Sequence, residues 1–358
     1  MMSRRCVRTF LARRCAPVAL VLSGFLLSVL PSRAQTSLGP VTIGAGMRTS
    51  FVFTDPTVGD TTDRFLLNSA RIYINGPVTD QIKFTLNTEY DSSSNRVNIL
   101  DAVARVEISP EFNIWAGRLL PPSDRVNLTG PYYAHHWATF TDGIENGQPS
   151  VFQGRDNGVV YWGDFAKKRL KLSAGAFDGP TADGNPDVIG AFRGQIDLWD
   201  TEPGYYLNST YYGDKNILAI AGSTQVQSGN TATTVDFLLE KKVMTGGAFS
   251  LEGEYANYDK LGGYDSRFTK DQGEWGLASF LFPKAVGMGK FEILGKYAKA
   301  DFTKGSIASY NQKTTEINLN YVIKQFNARV MAFYEDTRFN RKSIPNFWTM
   351  GLGFQIQM

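Results

Sequence analysis

Apolar and polar residues alternate with a period of two through most of the chain. The C-terminal segment shows it best: Trp348, Met350, Leu352, Phe354, Ile356 and Met358 share one face, while Thr349, Gly351, Gly353, Gln355 and Gln357 share the other. Successive side chains of a strand point to opposite faces, so one face suits lipid and the other water. Upstream, Ile82, Phe84, Leu86, Thr88 and Tyr90 alternate with Gln81, Lys83, Thr85, Asn87 and Glu89. Leu100, Ala102, Ala104, Val106 and Ile108 oppose Asp101, Arg105 and Glu107. Phe249, Leu251, Gly253 and Tyr255 oppose Ser250, Glu252 and Glu254, and Ile317, Leu319 and Tyr321 oppose Glu316, Asn318 and Asn320.

Extended segments follow near 42–53, 63–75, 80–91, 97–108, 112–119, 154–163, 169–178, 189–200, 215–226, 231–241, 247–259, 273–282, 288–301, 312–324, 326–337 and 346–357. A further segment, 205–212, also alternates, but counting it makes the total odd. A single-chain bacterial barrel has an even number of strands, with short periplasmic turns and longer external loops. From a periplasmic N-terminus, Gly76-Pro77, Ser109-Pro110 and Asp164 to Lys168 fall on the periplasmic side, and the long 120–153 segment falls outside. Counting 205–212 as a strand would make the polar stretch Asp259 to Gln272 periplasmic and the short Ile323 to Phe326 connection external. Thr201 to Asp214 is therefore an irregular, tyrosine-rich periplasmic connection, and the expectation is a sixteen-stranded all-β transmembrane barrel in one domain.

Composition fits this reading. The chain has 24 Phe, 16 Tyr, 6 Trp and 35 Gly, and its mean hydropathy is −0.22. A closed barrel satisfies its backbone internally and shows lipid only one face, so a polar chain can still live in a bilayer.

The N-terminus changes the charge picture. Arg4, Arg5, Arg8, Arg13 and Arg14 precede an apolar run from Ala16 to Leu30, and Ser32-Arg33-Ala34 offers small residues at a cleavage site. These are the parts of a secretory signal peptide over 1–34, with a mature barrel over 35–358. The full chain has 37 Lys+Arg and 34 Asp+Glu; without the leader's six arginines, 31 basic residues face 34 acidic ones, a net charge of −3. Both cysteines, Cys6 and Cys15, lie in the leader, so neither disulfides nor thiolate ligands are expected in the mature chain.

Three stretches carry a family resemblance: Arg71-Ile-Tyr-Ile-Asn-Gly running on to Lys83-Phe-Thr-Leu-Asn-Thr-Glu-Tyr, Ala116-Gly117-Arg118 before Pro121-Pro122, and Gly154-Arg155-Asp156-Asn157-Gly158 after the long loop. Together they resemble the phosphate-selective porin O and P family of the Gram-negative outer membrane. The resemblance implies a homotrimer of sixteen-stranded porins whose third loop folds into the lumen, with arginine and lysine ladders for anions. The corresponding loop here is Leu120 to Gln153, and long loops in compact domains are usually functional.

Charged rings filter ions in pores. By inward parity the candidates are Arg71, Lys83, Arg105, Lys296 and Arg329, with Arg118 and Arg155 at the base of the long loop and Arg125 within it. Each could equally be a lumen charge paired with Glu89, Asp101, Glu107, Glu252, Glu254 or Glu316. The acid excess of the mature chain argues for weak anion preference or general permeation, and against a high-affinity phosphate site. The partners expected are small hydrophilic solutes or anions and outer-membrane lipid.

His135 and His136 are the only histidines. Adjacent side chains of an extended segment point apart, and no neighbouring cysteine or acid cluster completes a metal site. No cofactor motif or nucleic-acid signature is present, and Gly154-Arg-Asp-Asn-Gly lacks the Lys-Ser/Thr of a nucleotide loop. Two other readings compete. A barrel enzyme of lipase or protease type would need a nucleophile and base in reach, and Ser123 and Ser150 flank His135 without a spacing signature. A surface-interaction barrel would need long adhesive loops, and only the third is long.

Overall fold

The computed structural model describes residues 41–92, 95–145, 147–179 and 187–358. The leader expected over 1–34 lies outside them. Sixteen antiparallel strands close into a barrel, each paired with its sequence neighbours and β1 with β16. The strands are β1 (Thr42–Pro56), β2 (Thr62–Pro77), β3 (Ile82–Asp91), β4 (Arg96–Ser109), β5 (Phe112–Leu119), β6 (Asp156–Phe165), β7 (Leu170–Phe177) and β8 (Ile189–Asp197). Then come β9 (Ile217–Gln227), β10 (Asn230–Val243), β11 (Gly247–Asp259), β12 (Phe268–Leu281), β13 (Lys290–Gly305), β14 (Tyr310–Lys324), β15 (Ala328–Phe339) and β16 (Phe347–Gln357). Closure runs from Gly46 opposite Gln357 to Pro56 opposite Phe347.

Period two produces this architecture directly. Phe354 and Ile356 are exposed on the outer face, while Gln355 between them is buried inside. Ile317 and Leu319 likewise face out while Glu316, Asn318 and Asn320 are buried. With every strand paired on both sides, the ladder leaves no edge to cap.

One alternation departs from its expected face. Leu100 belongs by parity with the outward residues, yet it is fully buried beside buried Asp101. Register shifts here: Asp101 pairs with Asn87 and Ile99 with Thr88, leaving Leu100 as an extra residue. A bulge places two successive side chains on one face, which carries Leu100 inward.

The expected non-strand segment is one. Chain 198–216 joins β8 to β9 without strand structure and is called T4. The loop after β5, called L3, carries a short helix, α1 (Arg125–Tyr133), which alternation did not indicate. The Asp124 side chain caps it by accepting from the Asn127 amide at 3.1 Å, and Gly130 with Pro131 breaks it. Both L3 and T4 fold into the barrel, from opposite ends.

Candidate functional site: a basic passage beside a filled lumen

L3 crosses the interior and docks on β13–β15. The Trp137 amide donates to Asn318 Oδ1 and the Ala138 amide to Glu316 Oε1, both at 3.1 Å. The Trp137 ring stacks on Phe333 at 6.0 Å. Where the loop returns to the wall, Gly154 has φ +79°, and a Cβ there would stand 2.1 Å from Asn127 Oδ1. The left-handed backbone there favours glycine, and a side chain would also push Asn127 aside.

T4 enters from the other end and lies against L3. The Leu207 amide donates to Leu128 O (3.4 Å) and the Ser209 amide to Tyr133 O (3.1 Å), while Tyr205 Oη donates to Leu120 O at 2.7 Å. Leu119, Leu120, Leu128, Tyr205, Leu207, Trp115 and Trp162 form one apolar cluster between wall and inserts. The inserts are locked by Arg125, whose Nη1 and Nη2 donate to the Glu202 carboxylate at 3.0 and 2.6 Å, with Nη1 also on Asn208 O at 2.8 Å. Burial disfavours the Glu202 charge, but Arg125 outweighs it and holds the carboxyl below its ordinary range.

The wall facing these inserts supplies acids. Glu240 accepts from Thr210 Oγ1 and from the Tyr211 and Gly213 amides (2.8, 2.7 and 2.7 Å), and Glu252 accepts from Ser209 Oγ at 3.2 Å. Glu254, Glu292, Glu316 and Glu335 are also buried. His135 Nε2 lies 2.8 Å from Glu292 Oε1 and 3.1 Å from Ser279 Oγ. His136 Nε2 lies 3.4 Å from Glu145 Oε1 and 3.2 Å from Lys296 Nζ. The two rings point to different partners, and each meets an acid, Glu292 from β13 and Glu145 from L3 itself. Burial opposes the His135 charge; Glu292 outweighs it and raises the imidazole's pKa. Among the described residues, no group of three or more His, Cys, Asp or Glu side chains is arranged to hold a metal.

The flank along β1–β5 differs. Arg71 Nε bonds Glu89 Oε2, Arg155 Nε donates to Asp101 Oδ1 at 3.2 Å, and Lys83 Nζ lies 2.6 Å from Glu107 Oε2. Arg105 Nη1 is 3.6 Å from Glu107 Oε1, and Arg48 has no carboxylate within ion-pair distance among the described residues, its Nη2 donating to Trp137 O at 3.1 Å. Arg48, Arg71, Lys83, Arg105 and Arg155 thus face Glu89, Asp101 and Glu107, a local surplus of two positive charges. Solvent reaches this flank unevenly: the Lys83 side chain is 36 % exposed and Arg105 20 %, while Arg48, Arg71 and Arg155 are buried, and Arg125 and Glu202 are 1 % exposed. Tyr206, projecting from T4 toward Trp115 at 5.7 Å between rings, is 42 % exposed inside the barrel. At the L3 end, a cavity of 1620 Å³ is lined by Arg48, Arg71, Glu89 and Arg155. At the turn end, a second of 420 Å³ is lined by Arg105, Glu107, Asn113 and Gly204.

The candidate residues therefore divide. Arg71, Lys83, Arg105 and Arg155 come together along one flank. Arg125, Lys296 and Arg329 are buried in the filled part: Lys296 Nζ meets Glu145 and, at 2.9 Å, Asp142, while Arg329 Nη1 donates to Ala134 O at 2.7 Å and Nη2 to Gln355 Oε1 at 2.9 Å. Arg118 joins neither group; it shares the outward parity of exposed Ala116 and donates to Asn157 Oδ1 at 3.1 Å. Sequence reasoning missed Arg48 and Arg193, although both have inward parity in alternating strands. Arg193 donates to both Asp236 oxygens at 2.5 and 2.9 Å.

A closed sixteen-stranded barrel narrowed by an inserted third loop is the fold of the outer-membrane porins. No protein-family model matches the sequence, and no curated protein does. Solved structures do. The anion-selective porin from Comamonas acidovorans is 14 % identical with a TM-score of 0.57, over 89 % of this chain and 99 % of its own. OmpF of Salmonella typhi is 11 % identical at 0.57, over 88 % and 97 %. OmpT, an outer membrane protein of Vibrio cholerae, is 12 % identical at 0.55, over 91 % and 99 %. At such identities the likeness is one of fold.

Proposed function

We propose that this protein is an outer-membrane porin, a water-filled channel for passive diffusion of small hydrophilic solutes with a modest preference for anions. The observation that carries the reading is the β1–β5 flank, where five basic side chains face three acids, with Arg48, Arg71 and Arg155 lining the cavity at the L3 end and Arg105 the one at the turn end. Basic rings in a narrow aqueous path favour anions. Four of those basic groups are paired with carboxylates, which supports general anion preference over tight phosphate binding. The anion-selective Comamonas porin shares the fold. In this reading the 1–34 leader is removed on secretion, the L3 end faces outward from the cell, T4 lies on the periplasmic side, and three copies associate.

Purified protein in planar bilayers should give stepwise conductance, and protein-loaded liposomes should swell in sugars, amino acids and phosphate. Hydrolysis of ester or peptide substrates without any conductance steps would replace the porin with a barrel enzyme.

A further inference from the structure

Resting on the diffusion reading above, we propose that T4 is a second constriction element and that Tyr206 is a specificity-determining residue, narrowing the passage from the side opposite L3. A connection that merely joined β8 to β9 could do so outside the barrel. T4 instead threads beneath L3 and is held along its length: Gly204 N to Asp164 Oδ2 at 2.9 Å, Tyr205 to Leu120, Glu202 to Arg125, and Tyr211 N to Glu240. These anchors fix the backbone on both sides of Tyr206.

Neighbouring tyrosines then take opposite roles. Tyr205 is 3 % exposed and packs between Trp115 and Trp162, at 5.2 and 6.1 Å between rings. Tyr206 turns toward the solvent-reached flank that carries Asp101, Arg105 and Arg155, and leaves 42 % of its surface to water. Tyr205 borders the turn-end cavity with Trp115 and Trp162, and Tyr206 exposes its aromatic surface next to it, 5.7 Å from the Trp115 ring. Its fixed ring limits the bore beside two guanidiniums, so bulky anions should feel it more than chloride does.

The test uses the full mature chain in planar bilayers. Tyr206→Ala should raise single-channel conductance by roughly half or more, and Tyr206→Trp should lower it, as expected where bore and lining set flux. Tyr206→Phe keeps the ring and should conduct like wild type. A Tyr206→Cys variant of the chain from Gln35 onward holds no other cysteine. A negatively charged methanethiosulfonate reagent should modify it and cut the current in discrete steps. Wild-type conductance in the Ala and Trp variants, with no effect of the reagent on the Cys variant, would overturn the role of T4 while leaving the channel itself intact. Absence of steps from wild-type protein would remove the diffusion reading and this proposal with it.

Discussion

The two halves of the lumen solve the problem of inward-facing charge differently. Along β8–β15 the inserts L3 and T4 fill the space, and Arg125, Arg193 and Lys296 each meet a carboxylate with almost no solvent. Along β1–β5 basic groups outnumber acids; Arg48 and Arg71 pack on Trp137 and Tyr132 of L3 yet line the cavity at the L3 end, and the Lys83 and Arg105 pairs with Glu107 remain partly wet. Identical residue types thus act as structural locks on one side and as channel lining on the other. What separates them is that Arg48, Arg71, Arg105 and Arg155 line the two cavities, whereas Arg125 and Arg193 do not.

The comparison breaks most visibly at the locks. Removing one partner of a buried ion pair leaves an uncompensated charge, at a cost of about 3–5 kcal/mol. Glu202→Ala should therefore lower the thermal midpoint sharply and loosen both inserts, read by circular dichroism and by heat-modified gel mobility. An Arg125→Met, Glu202→Met double replacement should lose less, because no orphaned charge remains.

Selectivity should respond on the opposite side only. Replacing Lys83 with Gln and Arg105 with Gln should reduce the chloride-to-potassium permeability ratio several-fold with little change in stability, measured from reversal potentials, because both side chains are partly exposed. Arg193→Gln should do the reverse, because its bidentate pair with Asp236 is buried. Equal selectivity changes from all three would mean that the filled half also conducts.

A smaller effect sharpens the picture through pH. Burial pushes the Asp124 carboxyl up to about 6. A carboxyl raised on folding binds extra protons in the folded state, so it favours folding below its ordinary value and loses that contribution as pH rises through about 6. Asp124→Asn keeps an acceptor for the Asn127 amide. It should raise the melting temperature by a few degrees at pH 8 and be neutral at pH 4. Glu145 behaves oppositely: burial is outweighed by Lys296 and His136, which hold its carboxyl well below the usual range. Its stabilisation is present above the ordinary carboxylate pKa and should persist on acidification until pH falls through that depressed value.

Much of the fold was legible because alternation is local. All sixteen strands, and the exclusion of Thr201 to Asp214, follow from period two and loop parity. Leu100 was misplaced because one bulge reverses parity without altering composition. The site was legible only in part. Parity identified Arg71, Lys83 and Arg105 as inward, but it could not tell lining from filling, which depends on contacts such as Arg125 with Glu202, 77 residues apart in sequence. The net charge of −3 expected for the mature chain bears little on the anion question for the same reason. It adds the acids of the filled half, such as Glu240, Glu252 and Glu292, to a passage they do not line.

The zero-current potential of wild-type channels across a tenfold KCl gradient tests that division most directly. A basic passage beside a sealed acidic half gives a potential of the sign set by chloride. A potential of the sign set by potassium would contradict it, and would place the solute path among the acids of β10–β15.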